Sequence, residues 1–475
     1  MKNTKRRVET FSFYDRTGLE AHLAQMAEQG WLVEKIGQFF WYYRKIEPKT
    51  LTFSVTYFPK ASQFDPEPSE EQRTFYDFCE HAGWKLAAAN AQLQVFCNEG
   101  PHPVPIETDP VLEVESIHRT MKRTLIPAQL MLLVLAVFQF GMFAWQAAEN
   151  PIGTLSSTPH LFTVVCEALV VLLVGVELGS YFRWHRRAVL AAERGEFVST
   201  GSHRKLQIGA LVFLAVITAV YMLSVAASGS RMMITMVLIM FFVYVPGLFL
   251  LIWGVKSWLK RKKVAAKISW VVTVVSALAA AYLFVGAIVF GTLFGNSHGW
   301  LKEKDEETYR YNGVTFTARH DELPLTLEEL APVEFEGYDR ELHAYRSPLL
   351  VKYDAMQRPR FDAEHYKEMP DLEYTVTVVK APFLYGLCRD HLFLDRAERW
   401  NRDMPESQWY FYESTDPAPW GAEAAYRWTD REYGPRNTFL LCYPDRIIEI
   451  KFDYEWNITP AQAALVGERL GRGSL

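Results

Sequence analysis

Five apolar stretches between residues 124 and 295 constrain this chain more than any other feature of its sequence. Each stretch has about 20 residues, the length that a helix needs to cross a bilayer core of roughly 30 Å. Hydrocarbon offers no hydrogen-bond partner to a free backbone amide, so these stretches must be helical. The sequence therefore predicts a multi-pass α-helical membrane protein embedded in a lipid bilayer. Its five spans cover approximately residues 124–146, 160–182, 206–227, 233–255 and 268–293.

The basic residues between these stretches predict how the spans are oriented. Arg and Lys are frequent before the first span, between the second and third spans, and between the fourth and fifth spans. The connection at residues 147–159 has neither Lys nor Arg, and the third connection has only Arg231. Basic flanks are retained on the cytosolic side. We therefore expect the N-terminus inside and, after an odd number of spans, the C-terminus outside.

The apolar region divides the chain into four predicted parts. They are a cytosolic domain (residues 1–100), a linker (101–123), a five-helix transmembrane domain (124–295) and an extracytoplasmic domain (296–475). Both terminal domains mix helix-like and strand-like patterns, so we expect α+β folds. The net charge is −5. This balance argues against direct nucleic-acid binding, which needs a clustered cationic surface.

The N-terminal domain is predicted to contain an internal repeat. Each copy has a helix followed by hairpin strands, and an extra strand at residues 7–14 precedes the first copy. Thr17 and Glu20 have the spacing of a capping box for the first helix, and Ser69 and Gln72 have it for the second. These pairs predict where the two helices begin.

The ends of the two helices also share a motif. Gly30-Trp31 and Gly83-Trp84 stand where each helix is expected to end, with glycine in the left-handed conformation. Together with the aromatic run at residues 39–43, these motifs resemble an uncharacterised bacterial family, domain of unknown function 2812. The resemblance implies a bacterial cytoplasmic-membrane protein that is often encoded beside a PadR-like transcriptional repressor, and it suggests such a regulator as a partner of the cytosolic domain. It assigns no catalytic residues.

Four polar side chains are predicted to lie inside the membrane. Gln129 and Gln139 are in the first span, and Glu167 and Glu177 are in the second. Because the two spans run antiparallel, Gln129 has the same depth as Glu177, and Gln139 has the same depth as Glu167. We predict two interhelical hydrogen bonds, Gln129–Glu177 and Gln139–Glu167. The carboxylates then act either as structural hydrogen-bonding groups or as a proton or cation relay.

The C-terminal domain carries two groups of candidate residues. Cys388 and Cys442 are the only cysteines predicted outside the cell, so a disulfide between them is one interpretation and two buried thiols are the other. The stretch at residues 400–428 is rich in aromatic side chains, which form either core packing or a stacking surface for a glycan, peptide or small ligand. The candidates for that surface are Trp400, Trp409, Tyr412, Trp420 and Trp428.

Signatures of catalysis are missing from the sequence. The chain has no Gly-rich phosphate loop, no H-E-x-x-H and no Cys/His spacing suited to zinc, so we expect no catalytic residue, metal or cofactor. We expect a non-enzymatic membrane sensor that couples an extracytoplasmic domain, with a ligand of its own, to the cytosolic domain. The alternative is a small transporter or export accessory protein that uses Glu167 and Glu177.

Overall fold

A computed structural model of the chain gives its fold. It describes residues 4–37, 40–201, 203–227, 231–297, 306–331, 337–363, 366, 368–453 and 456–473, and Phe39 of the predicted aromatic run lies outside them. The structure divides into two compact units. The first unit contains Met1–Phe138 and Cys166–Ser297, and the second contains Gln139–Val165 and His298–Leu475.

The N-terminal domain consists of two βαββ copies, which gives the predicted repeat a definite form. Each copy forms a three-stranded antiparallel sheet in which the strand before the helix pairs with the last strand of the hairpin. The first copy comprises β1 (Thr4–Arg7), α1 (Arg16–Glu28), β2 (Trp31–Ile36) and β3 (Trp41–Lys45). The second comprises β4 (Thr52–Tyr57), α2 (Glu70–His81), β5 (Lys85–Asn90) and β6 (Leu93–Asn98).

The predicted start of α1 is wrong, whereas the other helix signals are confirmed. The N-cap of α1 is Asp15, whose Oδ1 accepts a hydrogen bond from the Gly18 amide at 3.1 Å. Thr17 is therefore inside the helix, and the Glu20 carboxylate accepts instead from the amide of Val55 in β4 at 2.8 Å. A carboxylate two residues earlier caps the helix, which leaves Thr17 and Glu20 available for tertiary contacts.

The second capping box and both helix ends agree with the sequence. Ser69 Oγ accepts from the Gln72 amide at 3.2 Å, and Gln72 Oε1 accepts from the Ser69 amide at 3.1 Å. Gly30 and Gly83 have φ of +81° and +83°, the left-handed conformation that glycine adopts without a Cβ penalty. These local signals are sufficient to predict where a helix begins or ends, because they depend on residues within one turn of that helix.

The strand predicted at residues 7–14 is also wrong. The strand is β1, which ends at Arg7, and the residues after it are irregular up to the turn before α1. The alternating pattern had suggested a strand face carrying Phe11 and Phe13. Both rings instead contact the hydrophobic core of the first unit, where Phe11 lies 5.2 Å from the His22 ring and Phe13 lies 5.3 Å from the Tyr57 ring.

Five helices in the described residues are long and apolar enough to span a membrane, as the sequence predicts. The first begins much earlier than residue 124 because Asp109 caps it, with Oδ1 accepting from the Val111 amide at 2.8 Å. Residues 110–123, which are 14 of the 23 residues of the predicted linker, are therefore helical. We name the five long apolar helices the first to fifth spans in chain order: Pro110–Glu149, Thr158–Ala192, Arg204–Ala227, Met233–Arg261 and Ala266–Gly291.

A seven-stranded antiparallel sheet forms the centre of the C-terminal domain, with the order β12-β13-β14-β15-β11-β10-β9. Its strands are β9 (Tyr338–Arg346), β10 (Leu350–Pro359), β11 (Leu372–Val379), β12 (Tyr410–Thr415), β13 (Ala424–Asp430), β14 (Gly434–Cys442) and β15 (Arg446–Phe452). This domain also has short helices at Leu327–Leu330, Tyr385–Asp390 and Arg396–Asn401. A further short helix, Pro151–Ser156, lies between the first and second spans and belongs to the same compact unit. Thr459 caps the last helix, Pro460–Val466, through a side-chain oxygen that accepts from the Gln462 amide.

One predicted strand of this domain is in fact a hairpin. The sequence pattern of residues 311–318 predicts a single strand. In the structure, β7 (Glu306–Tyr311) pairs with β8 (Val314–Arg319) across a two-residue turn. Asn312 and Gly313 form the turn with φ of +49° and +83°. An Asn-Gly pair with both φ values positive matches the right-handed twist of the strands that it joins.

Candidate functional site

The segment between β1 and α1, which we call the junction segment (residues 8–15), lies against the second span. Ser12 Oγ donates a hydrogen bond to Oε2 of Glu177 at 2.7 Å. Ser12 is buried, and 165 positions separate the two residues in the chain. One of the predicted intramembrane carboxylates thus has its hydrogen-bond partner in the N-terminal domain.

Aromatic packing continues this contact one turn further along the second span. The ring of Tyr14 lies 5.4 Å from that of Tyr181 in an edge-on arrangement and 5.6 Å from that of Trp184. All three side chains are buried in the main hydrophobic cluster of the first unit. The Tyr181 hydroxyl is also 2.7 Å from Nδ1 of His118 in the first span. Burial of three large rings makes this an extensive apolar contact.

A hydroxyl pair joins α1 to the connection after the second span. Thr17 Oγ1 and Thr200 Oγ1 are 2.8 Å apart, and the Thr200 amide donates to Thr17 Oγ1 at 3.0 Å. The Thr200 hydroxyl is also within 2.7 Å of Oδ1 of Asp15, the α1 cap. The start of α1 is therefore fixed to this connection by reciprocal hydrogen bonds.

A buried carboxylate completes the junction at the start of the third span. The Glu9 side chain is fully buried and has three cationic or potentially cationic partners: Arg7 at 3.3 Å, His22 at 3.1 Å and Arg204 at 3.1 Å. Burial alone would raise the pKa of Glu9. The hydrogen bond from His22 and the charges of Arg7 and Arg204 outweigh burial and hold that pKa below its ordinary value.

A cavity of about 470 Å³ opens between the junction segment and the first three spans. Aliphatic side chains supply most of its lining, and its polar residues are Glu9, Thr10, Gln129, Glu177, His203 and Gln207. The Oε1 atoms of both glutamines are buried and have no hydrogen-bond partner among the residues that the structure describes. The cavity therefore combines an apolar wall with uncompensated acceptor atoms.

The four predicted intramembrane residues have different surroundings. Gln129 and Glu177 line the same cavity, but the hydrogen bond recorded for Glu177 comes from Ser12 and not from Gln129. Within the described chain, Glu167 Oε2 is buried without a hydrogen-bond partner. Gln139 belongs to the second unit and Glu167 to the first, so their pairing stays a prediction.

The five aromatic candidates of the C-terminal domain separate into core and surface residues. Trp420 is buried in the cluster on one face of the sheet, and Tyr412 and Trp428 are buried in the other cluster. Trp400 is 53% exposed and Trp409 is 38% exposed. Core packing therefore accounts for Tyr412, Trp420 and Trp428. Of the five candidates, Trp400 and Trp409 present substantial aromatic surface.

Two of the candidates line a second cavity, of about 500 Å³, over one face of the sheet. Trp400 and Trp428 lie on either side of Tyr410, with ring centroids 5.8 Å and 5.7 Å from it. Lys451, whose Nζ is 3.6 Å from a carboxylate oxygen of Glu373, contributes to the charged part of the lining. Aromatic faces beside charged and amide groups suit a polar ligand with an apolar face.

Cys388 and Cys442 are buried free thiols in one hydrophobic cluster. Burial raises the pKa of Cys388 to about 11. Burial also raises the pKa of Cys442, more than its hydrogen bond with Tyr385 lowers it. Burial thus makes both thiols harder to ionise than an exposed cysteine, and a bridge between them stays a prediction.

Comparison with known proteins adds one relationship. No curated protein and no solved structure matches the chain. One segment of the chain matches a protein family. This segment begins in α1 and ends in the first span, and so includes the Gly30-Trp31 and Gly83-Trp84 motifs. Residues 16–128 match the family described as protein of unknown function (DUF2812), which confirms the resemblance that these motifs predict.

Proposed function

We propose that this chain is a non-enzymatic membrane sensor in which the second span couples an extracytoplasmic domain to a cytosolic one. The contacts of that span carry the proposal. Close to the middle of that span, Glu177 accepts the hydrogen bond from Ser12 of the N-terminal domain. At its first residue, the Thr158 hydroxyl donates to the carbonyl of Arg346 in the C-terminal domain. A continuous helix in contact with both soluble domains is a physical means of coupling them.

The ligand-binding end is, in this proposal, the aromatic cavity of the C-terminal domain. Trp400, Tyr410 and Trp428 line one side of it, and its volume lies within the range of ordinary ligand pockets, roughly 300–1,000 Å³. The distribution of basic residues supports an external position for this domain. The ligand would then reach the cavity from outside the cell.

The output is binding of a cytosolic partner by the N-terminal domain. The partner in this proposal is a PadR-like transcriptional regulator, as the resemblance of the sequence motifs suggests. The domain is fixed to the spans by the Ser12–Glu177 hydrogen bond, the Tyr14 contacts and the Thr17–Thr200 pair. A displacement of the second span therefore acts directly on the start of α1, which is the part of the domain closest to these contacts.

Topology is the first test, and it is independent of any ligand. Protease added to intact spheroplasts should digest the region after the fifth span and spare the N-terminal domain. An antibody against each terminus reports the fragments, and lysed spheroplasts are the control in which both regions are cut. Protection of the C-terminal region in intact spheroplasts, with digestion after lysis, would reverse the orientation and overturn the sensor proposal.

The partner is tested by capture with the full-length protein from gently solubilised membranes. We expect a PadR-like repressor, identified by mass spectrometry, to be retained by the wild type. Glu177→Gln should change the retained amount at least about threefold, because it weakens the hydrogen bond that fixes the N-terminal domain. Glu167→Gln, a matched change in the same span, should not. Equal retention by all three proteins contradicts coupling through Glu177.

Transport is the second candidate function. The observation that favours it is that Glu167 Oε2 is buried and has no hydrogen-bond partner among the residues that the structure describes. A transport role requires that both Glu167→Gln and Glu177→Gln abolish flux while the fold stays intact. The sensor role requires that only the Glu177 change affects partner binding. The same two variants therefore distinguish the two functions.

A further inference from the structure

The cavity beside the junction segment contains an unusual set of polar atoms. Glu177 provides a carboxylate that accepts one recorded hydrogen bond, from Ser12. Gln129 Oε1 and Gln207 Oε1 are buried without a partner within the described residues. A buried acceptor without a donor costs roughly 1–3 kcal/mol. Three acceptors from three different spans therefore line one cavity, and the recorded hydrogen bonds use only part of their capacity.

The ionisable side chains in the cavity lining are Glu9, Glu177 and His203. The guanidinium groups of Arg7 and Arg204 lie 3.3 Å and 3.1 Å from the Glu9 carboxylate and neutralise it. Among the ion pairs recorded for the described residues, none involves Glu177, whose hydrogen-bond donor is the neutral hydroxyl of Ser12. An occupant with a positive charge would compensate this carboxylate, whereas an anionic head group would meet acceptor atoms and like charge.

Apolar side chains form the rest of the cavity wall. They come from the second and third spans and from the end of the junction segment, so the cavity continues into the hydrophobic part of the structure. A volume of about 470 Å³ accommodates a small head group together with part of an aliphatic chain. The lining includes Phe13, Leu169, Leu173, Val176, Leu206 and Leu211.

We propose that this cavity binds an amphiphile with a primary ammonium head group and an apolar tail. A primary ammonium has three N–H donors and no acceptor, which matches the carboxylate of Glu177 and the amide oxygens of Gln129 and Gln207. The tail lies against the aliphatic wall. This inference goes beyond the proposed function, because binding at the cavity does not require that the protein transmit a signal.

The test uses the full-length protein in nanodiscs and a long-chain alkylamine that carries a photoactivatable diazirine on its tail. Cross-linked peptides are identified by mass spectrometry. We expect labelling of the second and third spans near Leu173 and Leu211. Unlabelled dodecylamine should compete, and dodecanol, which has the same tail with a neutral head group, should compete roughly tenfold less well because it lacks the charge.

Two cavity variants and one control complete the design. Glu177→Gln should weaken labelling roughly tenfold, because the charge-assisted hydrogen bond is lost. Gln207→Leu should also weaken it, by removing one acceptor from another span. Glu167→Gln, whose residue is absent from the cavity lining, should label as the wild type does. Size-exclusion profiles verify that each variant is folded. If Glu177→Gln does not fold, Gln207→Leu still tests the proposal.

The nanodisc lipid identifies the source of the amphiphile. If phosphatidylethanolamine supplies the ammonium group in the membrane, nanodiscs that contain it should suppress labelling relative to phosphatidylcholine nanodiscs. Equal labelling in both lipids identifies a free amine amphiphile as the occupant. The proposal is overturned if the alkylamine and the alkanol compete equally, if no cavity peptide is labelled, or if neither Glu177→Gln nor Gln207→Leu reduces labelling.

Discussion

Ser12 Oγ and Glu177 Oε2 are 2.7 Å apart, so a residue of the first soluble domain satisfies a carboxylate in the second span. A carboxylate in a largely apolar helix is costly unless it has a partner. The hydrogen bond therefore does two things: it stabilises Glu177, and it fixes the junction segment to the span. The buried ring of Tyr14, two residues after Ser12, reinforces this contact.

Replacing Ser12 with Ala should weaken this contact. The Glu177 carboxylate loses its recorded donor, which should lower the free energy of unfolding by about 1–3 kcal/mol. Denaturant unfolding of the full-length protein in detergent measures the change. Ser54→Ala is the matched control, because Ser54 lies in β4 and its hydroxyl makes no recorded hydrogen bond. Equal stability of the two variants would show that the Ser12 hydroxyl contributes nothing to the junction.

The Glu9 cluster should make the junction sensitive to acid. The folded-state pKa of Glu9 is lower than its ordinary value. Its contribution to stability is therefore fully present above the ordinary glutamate pKa, roughly 4.3, and is lost as the pH falls through the lower folded-state pKa. Glu9→Gln should remove this part of the acid dependence, which unfolding measured between about pH 3 and pH 7 reports.

The control for this prediction is Glu28→Gln, since Glu28 is exposed at the end of α1. We expect the Glu28 variant to retain the wild-type pH profile. Glu9→Gln should also lower stability at neutral pH, because Arg7 and Arg204 lose their anionic partner. A Glu9→Gln profile parallel to that of the wild type over the whole pH range would contradict the assignment.

The sequence predicts the spans and the helix ends because each of these features depends on neighbouring residues. An apolar run of sufficient length is a helix in hydrocarbon, whatever the rest of the chain does. Gly30 and Gly83 end their helices because the left-handed conformation is needed at one position only. These local requirements are visible without any knowledge of tertiary contacts.

The junction could not be predicted from local pattern. The alternation of Phe11 and Phe13 with polar residues is typical of a strand, and it also occurs when both rings enter a core from irregular backbone. The donor for Glu177 is 165 positions away, so pairing by depth within the membrane suggested Gln129 instead. Sequence reasoning missed Ser12 because a single serine in an apparent strand carries no recognisable pattern.

The C-terminal aromatic stretch illustrates the same limit. The aromatic composition of the stretch is compatible with a ligand surface or with core packing. Strand register decides whether each individual ring is exposed or buried. Tyr412 and Trp428 face each other across β12 and β13 and are buried on one face of the sheet. Trp400 lies in a short helix before β12 and is exposed. The sequence therefore leaves core packing and a ligand surface open for all five candidates, because the exposure of each ring depends on strand pairing that the sequence does not show.

A buried ion pair near the aromatic cavity gives a third prediction. Asp430 Oδ2 accepts from Arg436 at 2.9 Å, and Oδ1 accepts from the backbone amides of Glu432 and Tyr433. Burial alone would raise the pKa of Asp430, but these hydrogen bonds outweigh it and lower that pKa to about 2. Asp430→Asn should destabilise the C-terminal domain by roughly 1.5–3 kcal/mol at neutral pH.

The pH dependence of this effect follows from the lowered pKa. The stabilisation by Asp430 is fully present above the ordinary aspartate value, roughly pH 3.9, and is lost only as the pH falls towards about 2. The difference between wild type and Asp430→Asn should therefore narrow in strong acid. Limited proteolysis of the C-terminal domain in the full-length protein measures it, and Asp403→Asn, at an exposed position, provides the control. An unchanged cleavage rate in Asp430→Asn at neutral pH would refute the prediction.

A steric prediction concerns Gly467, where the last helix packs on the sheet. A Cβ atom at this position would overlap the carbonyl oxygen of Trp420, which accepts a hydrogen bond from Tyr443 Oη at 2.9 Å. Because Trp420 and Tyr443 are both buried in the same cluster, neither can move without opening the core. Gly467→Ala should lower the free energy of unfolding by about 1–3 kcal/mol, as overpacking typically does.

Gly386→Ala is the matched control, because Gly386 also lies in a helix of this domain and a Cβ there meets no atom within 4 Å. A Gly-to-Ala change in an open helical position should be neutral or stabilising, by up to roughly 1 kcal/mol. Limited proteolysis of the C-terminal domain in the full-length protein compares the two variants. If Gly467→Ala resists protease as well as Gly386→Ala does, the last helix is not packed against Trp420 in the way that the structure has it.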